Sequence, residues 1–492
     1  MGGETGLSGP APVHFNLYGF EVKLESSWTP VDHAANSRAV GLTEGGQFEK
    51  CPKAISRHKT KVGNAFRDYY LAGMRMLWKN IKGLVGAYDV PPSRLHGKEM
   101  RDFPVIENAW LAIDSGQIID FGSMDTFPGI ADWNGLEVLD CTGRFVLPAW
   151  CDSHTHLVFA ADRSEEFLSR VQGKSYQEIA EEGGGILNSA KALQAMSEEA
   201  LYEDAHARLE TAIAQGTGAI EIKSGYGLSA AAEMKMLRVI QRLANTSPIP
   251  IRRTFLACHA IPKGDWDAQR WTQHMVQDVL PSVIQEGLAD YVDAFCEEGY
   301  FGLDEVEFLL KATQSAGLPA KIHVNQFNAF GAVPLCAKYN AVSVDHLEEL
   351  NAEDVEALQA SNASGNAGTM ATALPGCSYF LGIPYTPARR LMDANVPLAI
   401  ATDFNPGSAP SSNMARIVQL AILKMNMLPI EAIAAATLNG AAAMGVSDRA
   451  GAVARGRQAN LLLTRPLPGL QAFGYDFGVE PVEKVFIDGM ER

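Results

Sequence analysis

The middle of this chain alternates between short apolar runs and longer amphipathic stretches, and few architectures tolerate that pattern. The runs are RFVLPAWC, TGAIEIK, IRRTFLACH, YVDAFCE, AKIHVNQF, AVSVDHLE, TMATALP and PLAIATDFN. Between them lie segments such as SEEALYEDAHARLETAIAQG, AAAEMKMLRVIQRLA, LDEVEFLLKATQSAG and NAEDVEALQAS. Apolar residues in these recur every three and four positions, and several open on an N-cap such as Ser197 or Asn351. Strands that are apolar throughout, without alternation, belong to parallel sheets covered on both faces. Eight such strands, each leading into a helix, predict an α/β fold, a (β/α)8 TIM barrel of about 250 residues or more.

The two ends of the folded chain read differently. WKNIKGLV and NAWLAIDSGQIIDFG near the start, and GRQANLLLTRP and EKVFIDG near the finish, have strand character with a turn at DSGQ. They predict a small β-sandwich-like domain assembled from residues 73–147 and 447–492, with the barrel, 148–446, inserted between. Residues 1–72 are rich in Gly, Ser and Pro and show no sustained period, so they read as a poorly ordered N-terminal extension, with Met74 or Met76 opening the folded part. A net charge of -16 over 492 residues argues against a nucleic-acid or anionic-membrane partner. There is no apolar run of about 18 residues to span a bilayer, and no basic, then apolar, secretory start. Seven scattered cysteines without a CxxC pair read as reduced thiols, and the expected location is the cytoplasm.

Barrels of this kind carry their chemistry at the C-terminal ends of the strands. Here those ends are polar: Asp152-Ser153-His154-Thr155-His156, Glu221 through Tyr226, His259, His323, Asp345-His346 and Asp403. Alternate residues on a strand point the same way, so His154 and His156 can reach one cation. His323 and Asp403 end two other apolar runs, and a buried Asp there needs a partner that a divalent cation supplies. Three imidazole nitrogens and one carboxylate oxygen suit zinc, with iron also compatible by ligand type. Such an ion lowers the pKa of bound water to about 7, giving a nucleophile. His346, as a neutral imidazole near the metal, is the candidate to take the water's proton or polarise a carbonyl, and Asp403 the candidate to share that proton handling.

With these residues goes a set of longer motifs: DSHTHLVFAADRSEEF, EEGGGI, EIKSGYGL, TFLACHA, SVDHLE, YTPARRLMDA and ATDFNPGSAPSSN. From about Met76 to the C-terminus the chain resembles the amidohydrolase superfamily and, within it, the imidazolonepropionases. The resemblance implies opening of a cyclic amide, 4-imidazolone-5-propanoate, to N-formimidoyl-L-glutamate in histidine degradation. It implies one divalent metal ion on His154, His156, His323 and Asp403, a small-molecule substrate, and a homodimer. It also implies that Arg163 binds the substrate carboxylate through its guanidinium fork. Tyr226 and His259 are implied as further substrate contacts, and Asn405, Gly407 and Ser408 as a loop holding the substrate's other end. Two other readings stay open at this point: a related deaminase or cyclic-amide hydrolase with a different pocket, and a non-catalytic barrel.

One departure stands out. The better-known members have an acidic residue three positions after the fifth-strand His, where this chain has Gln326 in HVNQF. A glutamine keeps the size and the hydrogen bonding but cannot take a proton. Gln326 is therefore expected to orient water or substrate while His346 and Asp403 move protons. On that basis Gln326→Glu changes turnover by less than about tenfold, the smallest contribution a new acid–base group would make being larger; a rise of orders of magnitude in steady-state kcat would overturn the expectation.

Overall fold

The computed structural model describes residues 74–174, 178, 185–363 and 368–492, together with two short strands near the N-terminus. Those strands, β1 (Asn16–Leu17) and β2 (Phe20–Glu21), pair antiparallel within a unit spanning Met1–Ile55. The rest of the expected extension, and most of the EEGGGI motif, lie outside the described residues.

Among the described residues of the unit Ser56–Arg492 there are two eight-stranded sheets. The first draws on both ends of the folded chain. Its N-terminal strands are β3 (Arg75–Val85), β4 (Val105–Asp114), β5 (Gln117–Ser123), β6 (Leu136–Asp140) and β7 (Phe145–Pro148). The second sheet, described next, takes β8 to β15, and the C-terminal strands β16 (Leu461–Thr464), β17 (Val482–Ile487) and β18 (Met490–Glu491) return to the first. The order is β18-β17-β16-β7-β3-β4-β5, with β6 beside β3. The DSGQ turn joins β4 to β5 with positive φ at Ser115 (49°) and Gly116 (78°), the left-handed pair that matches the twist of a tight hairpin. Trp78, Ile81, Leu111, Leu461 and Phe486 pack into the core of this sheet.

The second sheet is the barrel. Its strands are β8 (Trp150–Asp152), β9 (Thr217–Lys223), β10 (Ile251–Cys258), β11 (Tyr291–Cys296), β12 (Lys321–Val324), β13 (Ser343–His346), β14 (Met370–Ala373) and β15 (Leu398–Ile400). They pair in chain order, all parallel. Every residue of β8, β9, β11, β12, β13, β14 and β15 is buried, as a sheet covered on both faces requires.

The seam between first and last strand closes just beyond their ends. A parallel bridge joins Thr155 to Phe404. The Asp403 N–H donates to His154 O at 3.0 Å and the His156 N–H to Phe404 O at 2.8 Å. Below them the buried Asp152 carboxylate accepts from Thr402 N at 3.0 Å and Thr402 Oγ1 at 2.6 Å. The HTH and TDF segments are thus hydrogen-bonded to each other, which places two metal-ligand candidates from one end of the barrel sequence beside one from the other.

One expectation changes in detail. RFVLPAWC reads as a single strand, but β7 belongs to the first sheet and β8 to the barrel. Pro148 has no N–H to continue the ladder. The next two amides diverge, Ala149 N–H donating to Asn460 O in one direction and Trp150 N–H to Gly216 O in the other, at 3.0 and 2.9 Å. The chain changes sheets across a single residue.

Thr402→Val keeps the shape of the seam while leaving a buried carboxylate oxygen without its hydroxyl donor. It is expected to destabilise the protein by about 1–3 kcal/mol, seen as a lower denaturant midpoint with an unchanged slope.

Candidate active site

His154, His156, His323 and Asp403 meet above the barrel core. His154 and His156 follow β8, His323 lies within β12, and Asp403 follows β15. The three histidines each offer a ligand atom within 4.8 Å of the others. Nε2 of His156 lies 3.3 Å from Nε2 of His323. Asp403 Oδ1 lies 3.5 Å from His154 Nε2 and 3.4 Å from His156 Nε2. His154 Nε2 is buried and has no hydrogen-bond partner among the described residues, an arrangement that is costly unless something else takes its lone pair. Burial, reinforced by Lys223 and the neighbouring histidines, drives the His154 pKa well below 6.5, so the ring is the neutral ligand form. The donor set fits a divalent cation.

The far side of two of these rings is held from below. His154 Nδ1 donates to Asp345 Oδ2 at 2.7 Å, and His323 Nδ1 lies 2.9 Å from Asp293 Oδ2. A carboxylate on one imidazole nitrogen fixes the tautomer and turns the other nitrogen outward. Both carboxylates are fully buried, and their counter-charge is Lys223. Its Nζ is 2.8 Å from Asp293 Oδ2, 2.7 Å from Glu221 Oε1 and 3.7 Å from Asp345 Oδ2. Lys321 bonds the other Glu221 oxygen and donates to Ser153 O at 2.8 Å, beside His154. Burial pushes the Lys223 ammonium down, but Asp293, Glu221 and Asp345 outweigh it and raise its pKa. Burial likewise works against the Asp293 carboxylate, which His323 and Lys223 hold below its usual range.

A cavity of about 500 Å³ opens on this cluster. Arg163, Tyr226, His259, Gln326, His346, Asn405 and Ser408 line it together with His156, His323 and Asp403. The Arg163 side chain is largely buried; the residue immediately precedes the helix Ser164–Val171, and its Nε donates to Glu166 Oε2 at 2.6 Å. The other Glu166 oxygen accepts from Gly185 N at 2.9 Å, which clamps the guanidinium in place. Gly407 does not line the cavity; it makes room for Arg163, since a Cβ there would sit 2.1 Å from Arg163 Nη1. The Asn405 side chain builds its own loop, accepting from Gly407 N and Ser408 N at 2.8 and 2.7 Å and donating to Asp403 O at 2.7 Å.

His259 stacks on His156 with ring centroids 5.2 Å apart and 14° between planes. Its Nδ1 donates to Gly225 O at 3.0 Å. Gly225 has φ +107° and lies so close that a Cβ would meet His259 Nδ1 at 2.9 Å. Burial lowers the His259 pKa well below 6.5, leaving a neutral ring whose Nε2 accepts hydrogen bonds. The Tyr226 ring stands edge-on to it at 5.3 Å. Gln326 donates from Nε2 to Cys377 Sγ at 3.3 Å. His346 (φ 91°), the last residue of β13, and Asp403 (φ 55°), just beyond β15, both hold left-handed backbone at the cavity, a strain of order 1–3 kcal/mol for side chains of this kind.

With this geometry in view, the comparisons are specific. A sequence profile of the amidohydrolase family matches residues 301–491. An imidazolonepropionase of Christiangramia forsetii is 49% identical over 420 residues, 85% of this chain and 99% of its own. One of Flavobacterium johnsoniae is 50% identical over 418 residues, with the same two coverages. The chain belongs to the imidazolonepropionase family. A solved adenosine deaminase of Xanthomonas campestris with bound zinc has a TM-score of 0.57 over 85% of this chain and 92% of its own; at 16% identity it supports the fold alone. Imidazolonepropionases are hydrolases of the amidohydrolase group, so this chain is a metal-dependent hydrolase built on a parallel barrel with an added sheet. Among the described residues, no helix is long and apolar enough to cross a membrane.

Sequence reading did not assign a role to Asp293, Lys321, Glu166, Glu233, Glu348 or Cys377. A signal for some was present. Glu221, Lys223, Asp293 and Lys321 sit inside strands that are otherwise apolar, and a charge there must be paired. Glu233 had no such signal. It sits on the helix Ala230–Thr246 and accepts from Gly225, Gly227 and Leu228 N–H groups at 2.8, 2.6 and 3.1 Å, shaping the loop that carries Tyr226.

Asp345→Asn removes the carboxylate that orients His154. Chelator competition is expected to show metal affinity lower by about 10- to 100-fold, with the fold retained.

Proposed function

We propose that this chain hydrolyses 4-imidazolone-5-propanoate to N-formimidoyl-L-glutamate, the ring-opening step of histidine degradation. The observation that carries the proposal is that one cavity holds both the His156–His323–Asp403 cluster and the clamped guanidinium of Arg163. A neutral heterocycle offers nothing for such an arginine; a ring bearing a propanoate does. We propose that His154, His156, His323 and Asp403 hold one divalent ion. Zinc is the reading favoured by three imidazole nitrogens and one carboxylate oxygen.

A bound ion there would supply Lewis-acid activation of a water, bringing its pKa to about 7. The chain's own groups do the rest. Arg163 holds the substrate carboxylate and thereby sets which ring atom faces the histidines. Tyr226 and His259 Nε2 border the ring, and the Asn405–Ser408 loop closes one side. Ring opening needs one proton removed from the attacking water and one delivered to the departing ring nitrogen. We assign both to His346, which lines the cavity, with Asp403 sharing the proton handling. Gln326, tied to Cys377, orients without exchanging protons.

The direct test follows loss of the ultraviolet absorbance of imidazolone propionate, with metal content measured on the same preparation. Turnover with about one zinc per chain is expected; metal-loaded protein without turnover would reject the substrate. Arg163→Met is expected to raise KM by about 10- to 100-fold, the equivalent of a lost charge-assisted hydrogen bond of about 1.5–3 kcal/mol. An unchanged KM would show that the carboxylate binds elsewhere.

A further inference from the structure

His346 faces a second carboxylate, Glu348, which the SVDHLE motif contains but to which the sequence assigned no role. Glu348 lies two residues on, past the left-handed backbone of His346 (φ 91°) and Leu347 (φ 65°). Those two positive φ values fold the chain back so that i and i+2 side chains meet, which an extended strand would send in parallel but separate paths. His346 Nδ1 is 3.3 Å from both Glu348 oxygens. Glu348 is 4% exposed, and among the described residues its other hydrogen-bond donor is Ser378 Oγ, 3.0 Å from Oε1. A buried carboxylate with one hydroxyl donor lacks the pairing that burial demands, and the His346 Nδ1–H is the partner that supplies it.

From this geometry we infer that Glu348 is the positioning residue for His346, locking the imidazole in the Nδ1–H tautomer so that Nε2 is the nitrogen presented to the cavity. A carboxylate behind an imidazole both selects the tautomer and stabilises the imidazolium formed when the ring accepts a proton. The thiol of Cys377, which closes the same corner, does not compete for that role. A thiol is only a weak donor and acceptor, a poorer partner for the ring N–H than a carboxylate. Gln326 touches that thiol and carries no charge. On this side of the cavity, then, Glu348 is the carboxylate paired to the proton-carrying ring. The inference rests on the proposed role of His346.

The same three side chains, His346, Glu348 and Cys377, also have ligand atoms within 4.8 Å of one another. A second metal ion there is the competing account, and the experiment separates the two. The full chain is prepared as wild type, Glu348→Gln, His346→Asn and the double variant, each with measured metal content, melting temperature, kcat and KM. Glu348→Gln is close in shape, so folding and a stoichiometry of one metal per chain are expected to persist. Its kcat is expected to fall on the order of 100-fold, within the range of general acid–base contributions, while KM moves less than about threefold. In the His346→Asn background, Glu348→Gln is expected to change kcat by less than about threefold, because a residue acting only through His346 has nothing left to act on.

A Glu348→Gln loss that is fully additive to His346→Asn would overturn the inference in favour of a structural role. Two metals per wild-type chain falling to one in Glu348→Gln would overturn it in favour of the second metal site. Wild-type kcat in Glu348→Gln, with His346→Asn inactive, removes Glu348 but leaves the proposed role of His346 standing. Wild-type kcat in His346→Asn removes that role itself. Should Glu348→Gln lower the melting temperature sharply, Glu348→Asp supplies the remaining arm. Recovery of kcat to within about tenfold of wild type supports a carboxylate acting on His346, and no recovery in a folded Asp variant counts against it.

Discussion

Five charged side chains lie beneath the histidine cluster without reaching water: Lys223, Lys321, Glu221, Asp293 and Asp345. Each comes from a different position on the inner face of the barrel, and none would be tolerable alone, because an isolated buried ion costs several kcal/mol even after relaxation. Together they alternate in sign. Lys223 joins Glu221, Asp293 and Asp345, and Glu221 carries the connection on to Lys321. Thr254 Oγ1 donates to Glu221 at 2.5 Å and Ser343 Oγ to Asp345 at 2.6 Å, taking up remaining lone pairs. The functional consequence is above them. Asp293 and Asp345 set the tautomers of His323 and His154, so the geometry of the cluster is inherited from a network that spans β9, β11, β12 and β13.

Around that base the cavity is built by a different device, in which loop backbone is shaped by buried side-chain acceptors. Glu233 gathers three amides of the SGYGL loop, Asn405 gathers two of the NPGS loop, and Glu166 joins Arg163 to Gly185. Each replaces a flexible loop by one in which the polar groups are already satisfied, and preorganised groups of this kind act without rearranging during reaction. The cavity therefore has a charged, rigid floor and walls held by local acceptors. His346 and Glu348 stand at one side, where left-handed backbone brings them together.

Much of the architecture was legible because the barrel's physical demands are local. A strand covered on both faces is mostly apolar and does not alternate, and TGAIEIK, AVSVDHLE and PLAIATDFN advertise that in seven to nine residues. The HxH pair was legible for an equally local reason, since period two puts both rings on one side. Other features were not. RFVLPAWC looks like one strand because hydrophobicity does not record which sheet an amide pairs with; the exchange at Ala149 depends on Asn460 and Gly216, both remote in sequence. Asn405 and Gly407 were expected at the substrate loop; what the sequence did not record is that Asn405, which lines the cavity, also braces that loop and that Gly407 leaves room for Arg163. Glu348 was passed over because a Glu in LEEL resembles any helix-approach residue until the backbone turns it inward.

The sequence by itself determined the class of the fold, the likeness to the imidazolonepropionases, and the identity of the residues that could bind a metal or a carboxylate. The fold class and the metal-ligand candidates follow from patterning and spacing along single strands, whereas the role of Arg163 toward a carboxylate is implied by the resemblance alone. Tertiary structure alone decided which charges neutralise one another, which nitrogen of His154 is turned toward Asp403, and that His154 and Asp403, 249 positions apart in the chain, share a seam. The reason is physical: burial makes each charge dependent on partners, and only closure of the barrel brings those partners within hydrogen-bonding distance.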